Sequence, residues 1–418
     1  TFCGRLEAEP TQVIFTGASA ITFCQYNSMR IASPYWWGAI GDGVTGIGAQ
    51  LQSAITAAAT GRIPLEFPQG RYVANSNVAL QTNTILIGMF GQSSIIDLNT
   101  VGVLFEGQGR DNIHIMGLTF ERLNQDLNMV SFRASGTTPP TNSSIKNCRF
   151  LTDGTSVANT ATIGIYGTTG LVASSNIEVI DNYIEFSWIG IITKYGHANS
   201  KFTLNTLIHR GTAGEGIKIE GGVLGIVSHN IIRMLTGALA ALTIESLTAN
   251  PSAVSNNVID VSPGTITYGI RIENTPGEGS PVRVLVSDNT LFGNGSNTCI
   301  WNGSSTQVDF EFKGNYLYNC VINTFGDRNH IIGNTINGII TGDGITAQGI
   351  SPVIKGNLVR NTTNCIVGNA ASPVRSSIDI SNNTCIEFTA VGIRSTRHSN
   401  GVILGNSIIH TGATATTG

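Results

Sequence analysis

Charge is what this sequence has least of. Only 12% of its 418 residues are Asp, Glu, Lys or Arg, and the formal net charge is −3. There is no basic run, and a net acidic chain opposes phosphate binding, so a nucleic-acid partner is not expected. No apolar run approaches bilayer-spanning length, so membrane insertion is not expected either. The 50 glycines follow no collagen period. The opening TFCGRLEAEP lacks the basic-then-apolar form of a signal peptide. Cysteine is scarce as well: the seven present are odd in number, and no pair has zinc-site spacing. No metal and no cofactor are therefore expected. Cys299, Cys320 and Cys365 fall where neighbouring repeats carry Gly or Ala, which reads as small packing residues.

What the chain does have is a repeat. Asparagine recurs ahead of short alternating apolar runs such as DNYIEF, HNIIR, NNVIDV, GNTIN and GNSII. The positions are Asn147, Asn182, Asn205, Asn230, Asn257, Asn289, Asn315, Asn334, Asn357, Asn383 and Asn406, spaced by 19 to 35 residues. A second run of the form Gly-Ile-x-Ile-x lies between them. Each unit holds two or three strands of period two and no helix. Such units bury their apolar faces only by stacking, each strand pairing with its counterpart one coil on. The asparagines are expected to stack at one turn, where they tolerate left-handed backbone. The expected fold is all-β, a single-stranded right-handed parallel β-helix. Residues 1–34 read as a lead-in and 35–418 as the β-helix domain. GIGAQLQSAITAAAT has helical periodicity, and a helix near 46–58 would cap the first coil's open edge.

The scarce charge is concentrated. In GIKIE, Ile217 and Ile219 point inward, so Lys218 and Glu220 point out. The last outward position, coil by coil, reads Glu106, Arg133, Thr168, Lys194, Glu220, Glu245, Glu273. Two residues earlier the column reads Tyr166, Ile192, Lys218, Thr243, Arg271, Trp301, Ile322. Three glutamates on successive rungs place like charges about 4.8 Å apart, which destabilises unless used. Glycoside hydrolysis needs paired carboxyl groups, about 5–5.5 Å apart in retaining enzymes. Glu220, Glu245 and Glu273 are therefore the candidate catalytic set, with the middle residue, Glu245, as the acid. Lys194, Lys218 and Arg271 are candidates to hold an acidic sugar, and Tyr166, Tyr195, Trp188 and Trp301 offer stacking faces. Lys194, Tyr195 and His197 in TKYGHANS suit a lyase instead, where such a base abstracts the proton beside a uronate carboxyl. Glu185, Arg233 and Asp260 share another outward column that reads as a solvated sheet face.

YWWGAIGDGVTG, the helical stretch after it, and GRIPLEFPQGRYV resemble the opening of the pectate-lyase-like superfamily of right-handed parallel β-helices. That group includes polysaccharide lyases, polygalacturonase-like hydrolases and phage tailspikes. GRLEAEPTQVIF resembles the lead-in of many bacterial and phage members. One departure is that Gly46 and Ile47 follow GDGVT where members usually carry an acidic pair. The family's catalytic signatures are not found, so no catalytic residue is carried over. The resemblance implies an extracellular or virion-associated protein, a homotrimer, and an extended polysaccharide as partner, acidic sugars included. The expected activity is that of a polysaccharide-degrading glycoside hydrolase. A uronate lyase and a non-catalytic adhesin or structural β-helix are the alternatives.

Overall fold

The computed structural model describes residues 8–410 apart from 16–22, 24–30, 98–102, 123–127, 137, 153–159, 168–173, 196, 224, 236, 250–251, 264–265, 274–282, 304–308, 327, 339 and 371–375. The chain divides into two compact units, Thr1–Gly211 and Thr212–Gly418. In both, short strands pair in parallel with the strand one coil on, as a right-handed parallel β-helix requires.

In the first unit the helix Gly48–Gly61 buries Leu51, Ala54, Ile55 and Ala58 against the first coils. Its Gln52 does more than cover. The side-chain amide donates to the Ala79 carbonyl at 2.9 Å and accepts from the Ala79 N–H at 2.7 Å. One side chain thus stands in for a neighbouring strand and blunts an edge. Ahead of the helix, Asp42 in GDGVT accepts from the Thr45 hydroxyl and from the Thr45 and Val44 N–H groups. These bonds pull its carboxyl down to about 2. The bore of this unit is built on phenylalanine, with Phe120 and Phe150 stacked at 4.8 Å.

In the second unit the bore is aliphatic: Ile217, Leu242, Ile270, Ile300, Ile322, Ile345 and Ile366 are all fully buried. Cys299 and Cys320 are joined by a disulfide across 5.4 Å between Cα atoms, which corrects the reading of both as packing residues. Their positions match small residues of other coils because the pair lies within the coil stack. Cys365 is a buried free thiol, a small packing residue of the bore.

The asparagine ladder forms in each unit. In the second, Asn230, Asn257, Asn289, Asn315, Asn334, Asn357, Asn383 and Asn406 follow one another. Asn257, for example, donates both its N–H and its amide to Asn289 Oδ1, at 3.0 and 2.9 Å. Asn289 Nδ2 in turn donates to the Val254 carbonyl at 3.0 Å. In the first unit Asn182 bonds Asn205 in the same way. Two expectations are corrected. Asn147 is not on the ladder: Cys148 holds that rung and donates its N–H to Asn182 Oδ1 at 2.9 Å. Nor do the ladder asparagines adopt left-handed backbone. The residue before each one does, at φ 52° to 66° from Asn147 to Gly405. This is why the motif reads Asp-Asn, Asn-Asn or Gly-Asn: the first residue makes the turn and the second is the rung.

Two predictions follow from the ladder. Replacing Asn289 by Ala strands buried donors on Asn257 and the Val254 carbonyl, each worth about 1–3 kcal/mol; urea unfolding should register a loss of several kcal/mol, and a loss below 1 kcal/mol would contradict the ladder's role. Leu204 occupies the left-handed turn position, at φ 60° and 54% exposed, so its side chain packs little. Leu204→Gly should raise stability by about 1 kcal/mol, because a β-carbon costs about 1–2 kcal/mol in that conformation.

Candidate functional site

The strands Glu215–Val223, Ala240–Ala249, Tyr268–Glu273 and Thr290–Asn302 of the second unit stack in register. Glu220, Glu245 and Glu273 occupy consecutive rungs of one outward column. Lys218, Thr243, Arg271 and Trp301 form the column beside it. The next member is Asn323, not Ile322, which is buried in the bore. A register irregularity between Thr298 and Ile300 shifts the count by one there. A third column carries Glu215 and Tyr268, on either side of Ala240.

The glutamates do not face one another bare. Lys218 Nζ lies 3.2 Å from Glu245, 3.6 Å from Glu215 and 3.7 Å from Glu220. Arg271 lies 3.3 Å from Glu245 and 3.9 Å from Glu215, and its Nη2 donates to Glu273. Glu245 therefore meets Lys218 at Oε2 and Arg271 at Oε1. The cations come from the adjacent column, Lys218 on the rung of Glu220 and Arg271 on the rung of Glu273, and both reach across to Glu245 between them. This relieves the like-charge stacking that singled out the set. Glu245 is engaged by a cation at each oxygen, whereas Glu220 meets Lys218 and Glu273 meets Arg271.

Glu215, absent from the candidates above, is the most buried member. Its side chain is 8% exposed, and its Oε1 accepts from the Thr243 hydroxyl at 2.5 Å. The signal was the glutamate three residues before Lys218 in GEGIKIE. Tyr268 was also missed: its ring stacks on Trp301 at 4.9 Å, and Arg271 lies 6.0 Å from the Tyr268 ring and 5.8 Å from that of Trp301. The Trp301 ring covers Gly303, where an added β-carbon would fall 1.9 Å from Cη2. Glycine at the end of that rung is what lets the ring lie there.

The other candidates lie in the first unit. Tyr166 pairs in register with both Arg133 and Lys194, so the three share a column. Thr168, which the spacing placed there, lies outside the described residues, and Glu106 stands opposite Ser131 instead. The Tyr166 hydroxyl accepts from Asn128 Nδ2 at 2.9 Å, Arg133 lies 5.3 Å from its ring, and Trp188 packs with it on Ala161, Ile189 and Ile192. Tyr195 is a left-handed turn residue at φ 60°. His197 lies in a two-residue strand paired with Ser174–Ser175; its side chain is outside the described residues. Glu185 is bonded by Arg210 at 2.6 Å, and Arg233 reaches Asp260 at 3.7 Å, as a solvated sheet face would be. Among the described residues no cluster of His, Cys, Asp or Glu is arranged to hold a metal ion, and no helix is long and apolar enough to cross a membrane.

No family model and no curated protein matches the chain. Solved structures do. The A-module of mannuronan C-5 epimerase AlgE6 from Azotobacter vinelandii aligns over 90% of this chain and 97% of that one, at 14% identity and a TM-score of 0.51. The catalytic domain of a GH87 alpha-1,3-glucanase, in complex with tetrasaccharides, aligns over 91% of this chain and 69% of that one, at 14% identity and a TM-score of 0.56. At such identities the likeness is one of fold, and the fold is the parallel β-helix.

Lys218 offers the sharpest electrostatic test. Burial opposes its charge, but Glu215, Glu245 and Glu220 outweigh burial and hold its pKa above the ordinary 10.5. A pKa raised on folding stabilises fully below the unfolded value and is lost as pH rises through the folded one. Lys218→Met should cost about 3 kcal/mol near pH 7, since it leaves Glu215 buried with weaker compensation. The deficit relative to the parent should shrink above pH 10.5. An equal deficit at pH 7 and pH 11 in urea unfolding would contradict the assignment.

Proposed function

We propose that the charged face of the second unit binds an extended polysaccharide and hydrolyses it, with Glu245 as base or nucleophile and Glu220 or Glu273 as acid. The observation that carries this reading is the glutamate column itself: three carboxylates in register on consecutive rungs, in a chain with little charge to spend. Rungs about 4.8 Å apart bring neighbouring carboxyl groups close to the about 5–5.5 Å of retaining glycosidases. The aromatic pair Tyr268 and Trp301 flanks the column and supplies a stacking face for a sugar ring. The names of the two similar structures, an epimerase of mannuronan and a glucanase, agree in the class of substrate.

One observation favours a second reading. Lys218 and Arg271 are both committed to glutamates. That compensation suits a non-catalytic carbohydrate-binding or structural face, and it leaves neither cation open to a uronate carboxylate, as a lyase would need. Glu245→Gln separates the two. Under the catalytic reading, polysaccharide cleavage measured by product mass falls about 100- to 10,000-fold, while circular dichroism shows the fold retained. Unchanged cleavage in the variant, or no cleavage by the parent across a polysaccharide panel, would leave the binding or structural reading standing.

A further inference from the structure

A cavity of about 370 Å³ opens elsewhere on the second unit, on the sheet that holds Asp309–Lys313 and His330–Ile332. It is lined by Asp309, Phe310, Glu311, Arg328 and His330. None of these belongs to the glutamate column. Resting on the reading of this chain as polysaccharide-binding, we propose that this cavity is a binding subsite for a neutral saccharide.

The residues are placed by the alternation of DFEFK. Phe310 and Phe312 turn into the bore, where both are buried, so Asp309 and Glu311 turn out. Glu311 stands opposite His330 on the next rung. Arg328, two residues before His330, reaches back so that its Nε lies 2.9 Å from Asp309 Oδ1. Arg328 does this from left-handed backbone at φ 55°, a conformation that costs a residue with a β-carbon about 1–2 kcal/mol. Glycine or asparagine holds most such turns in this chain. Arginine here puts a guanidinium at the cavity wall.

The lining defines the ligand. Its volume is at the small end of the range for ligand pockets, about 300–1,000 Å³, enough for one or two sugar rings. Two carboxylates accept hydrogen bonds from hydroxyls, while guanidinium and imidazole donate to ring and hydroxyl oxygens. Among the described lining residues two carboxylates stand against one guanidinium, which disfavours an anionic sugar. A hydroxyl-rich, uncharged sugar both donates to carboxylates and accepts from guanidinium or imidazole, so it suits this lining beside the Arg328–Asp309 pair.

The test is a titration of the whole chain with neutral glucose tetrasaccharides of α-1,3, α-1,4 and β-1,4 linkage, and with tetragalacturonate. The Glu245→Gln background prevents turnover and removes one member of the glutamate column. The imidazole signals of His330, assigned through His330→Ala, are followed by NMR. At least one neutral tetrasaccharide should shift His330, and Glu311→Gln should weaken that binding tenfold or more. Tetragalacturonate should leave His330 unmoved. The proposal is overturned if no neutral tetrasaccharide shifts His330, if Glu311→Gln binds as tightly as the parent, or if tetragalacturonate binds equally well. Because His330 is read in the folded parent, a variant that fails to fold does not decide the outcome.

Discussion

The structure hangs on an amide. In the second unit, Asn257, Asn289, Asn315, Asn334, Asn357 and Asn383 each give the N–H and the side-chain NH₂ to the Oδ1 of the next asparagine, and the NH₂ also reaches a carbonyl of an adjoining coil. Buried amides tolerate no unpaired group, so the bonds form together or not at all. That fixes register. The buried apolar face already opposes a slip of one residue, which would turn every outward side chain inward; the ladder also opposes the two-residue slips that would keep the faces. The columns of the second unit exist because the ladder, a few residues away, pins the same coils.

Register then does the electrostatic work. Elsewhere the chain stacks charge as alternating signs: Glu178 lies between Lys146 at 2.5 Å and Lys201 at 3.3 Å, and the Lys146 hydrogen bond holds its carboxyl below the usual range. Such ladders are exposed and individually weak. The Glu220–Glu245–Glu273 column departs from that pattern. It repeats one sign along a column and brings the opposite sign in from the side, around a buried Glu215 that a solvated face would not need. Taking a carboxylate out of water costs several kcal/mol, which is offset only where the partners are close and well placed.

Much of this was legible in the sequence. Period-two runs behind recurring asparagines specify a parallel solenoid, and the outward phase of GIKIE, ALTIE and GIRIE placed three glutamates together, because alternation leaves only two faces to choose from. Spacing alone misled where the backbone departs from alternation. The irregularity before Ile300 moved the next member of the Trp301 column from Ile322 to Asn323, and Tyr166 proved to share a column with Arg133 and Lys194. The ladder was read with its left-handed residue one place late, since Asn-Asn and Asp-Asn pairs do not say which member makes the turn. The Cys299–Cys320 bridge was hidden because a cysteine in a small-residue position looks like any other small residue. The interleaving of Lys218 and Arg271 was not readable at all: it depends on how two long side chains lean across columns, which sequence spacing does not encode.

The proposed sugar-binding role of the glutamate column depends on register. The most direct measurement is a crystal structure of the Glu245→Gln chain soaked with an oligosaccharide that the parent cleaves or retains. The account predicts a saccharide lying across Glu220, Gln-substituted position 245 and Glu273, with one ring against Trp301. A saccharide bound only elsewhere, with the column and Trp301 left bare, would contradict it.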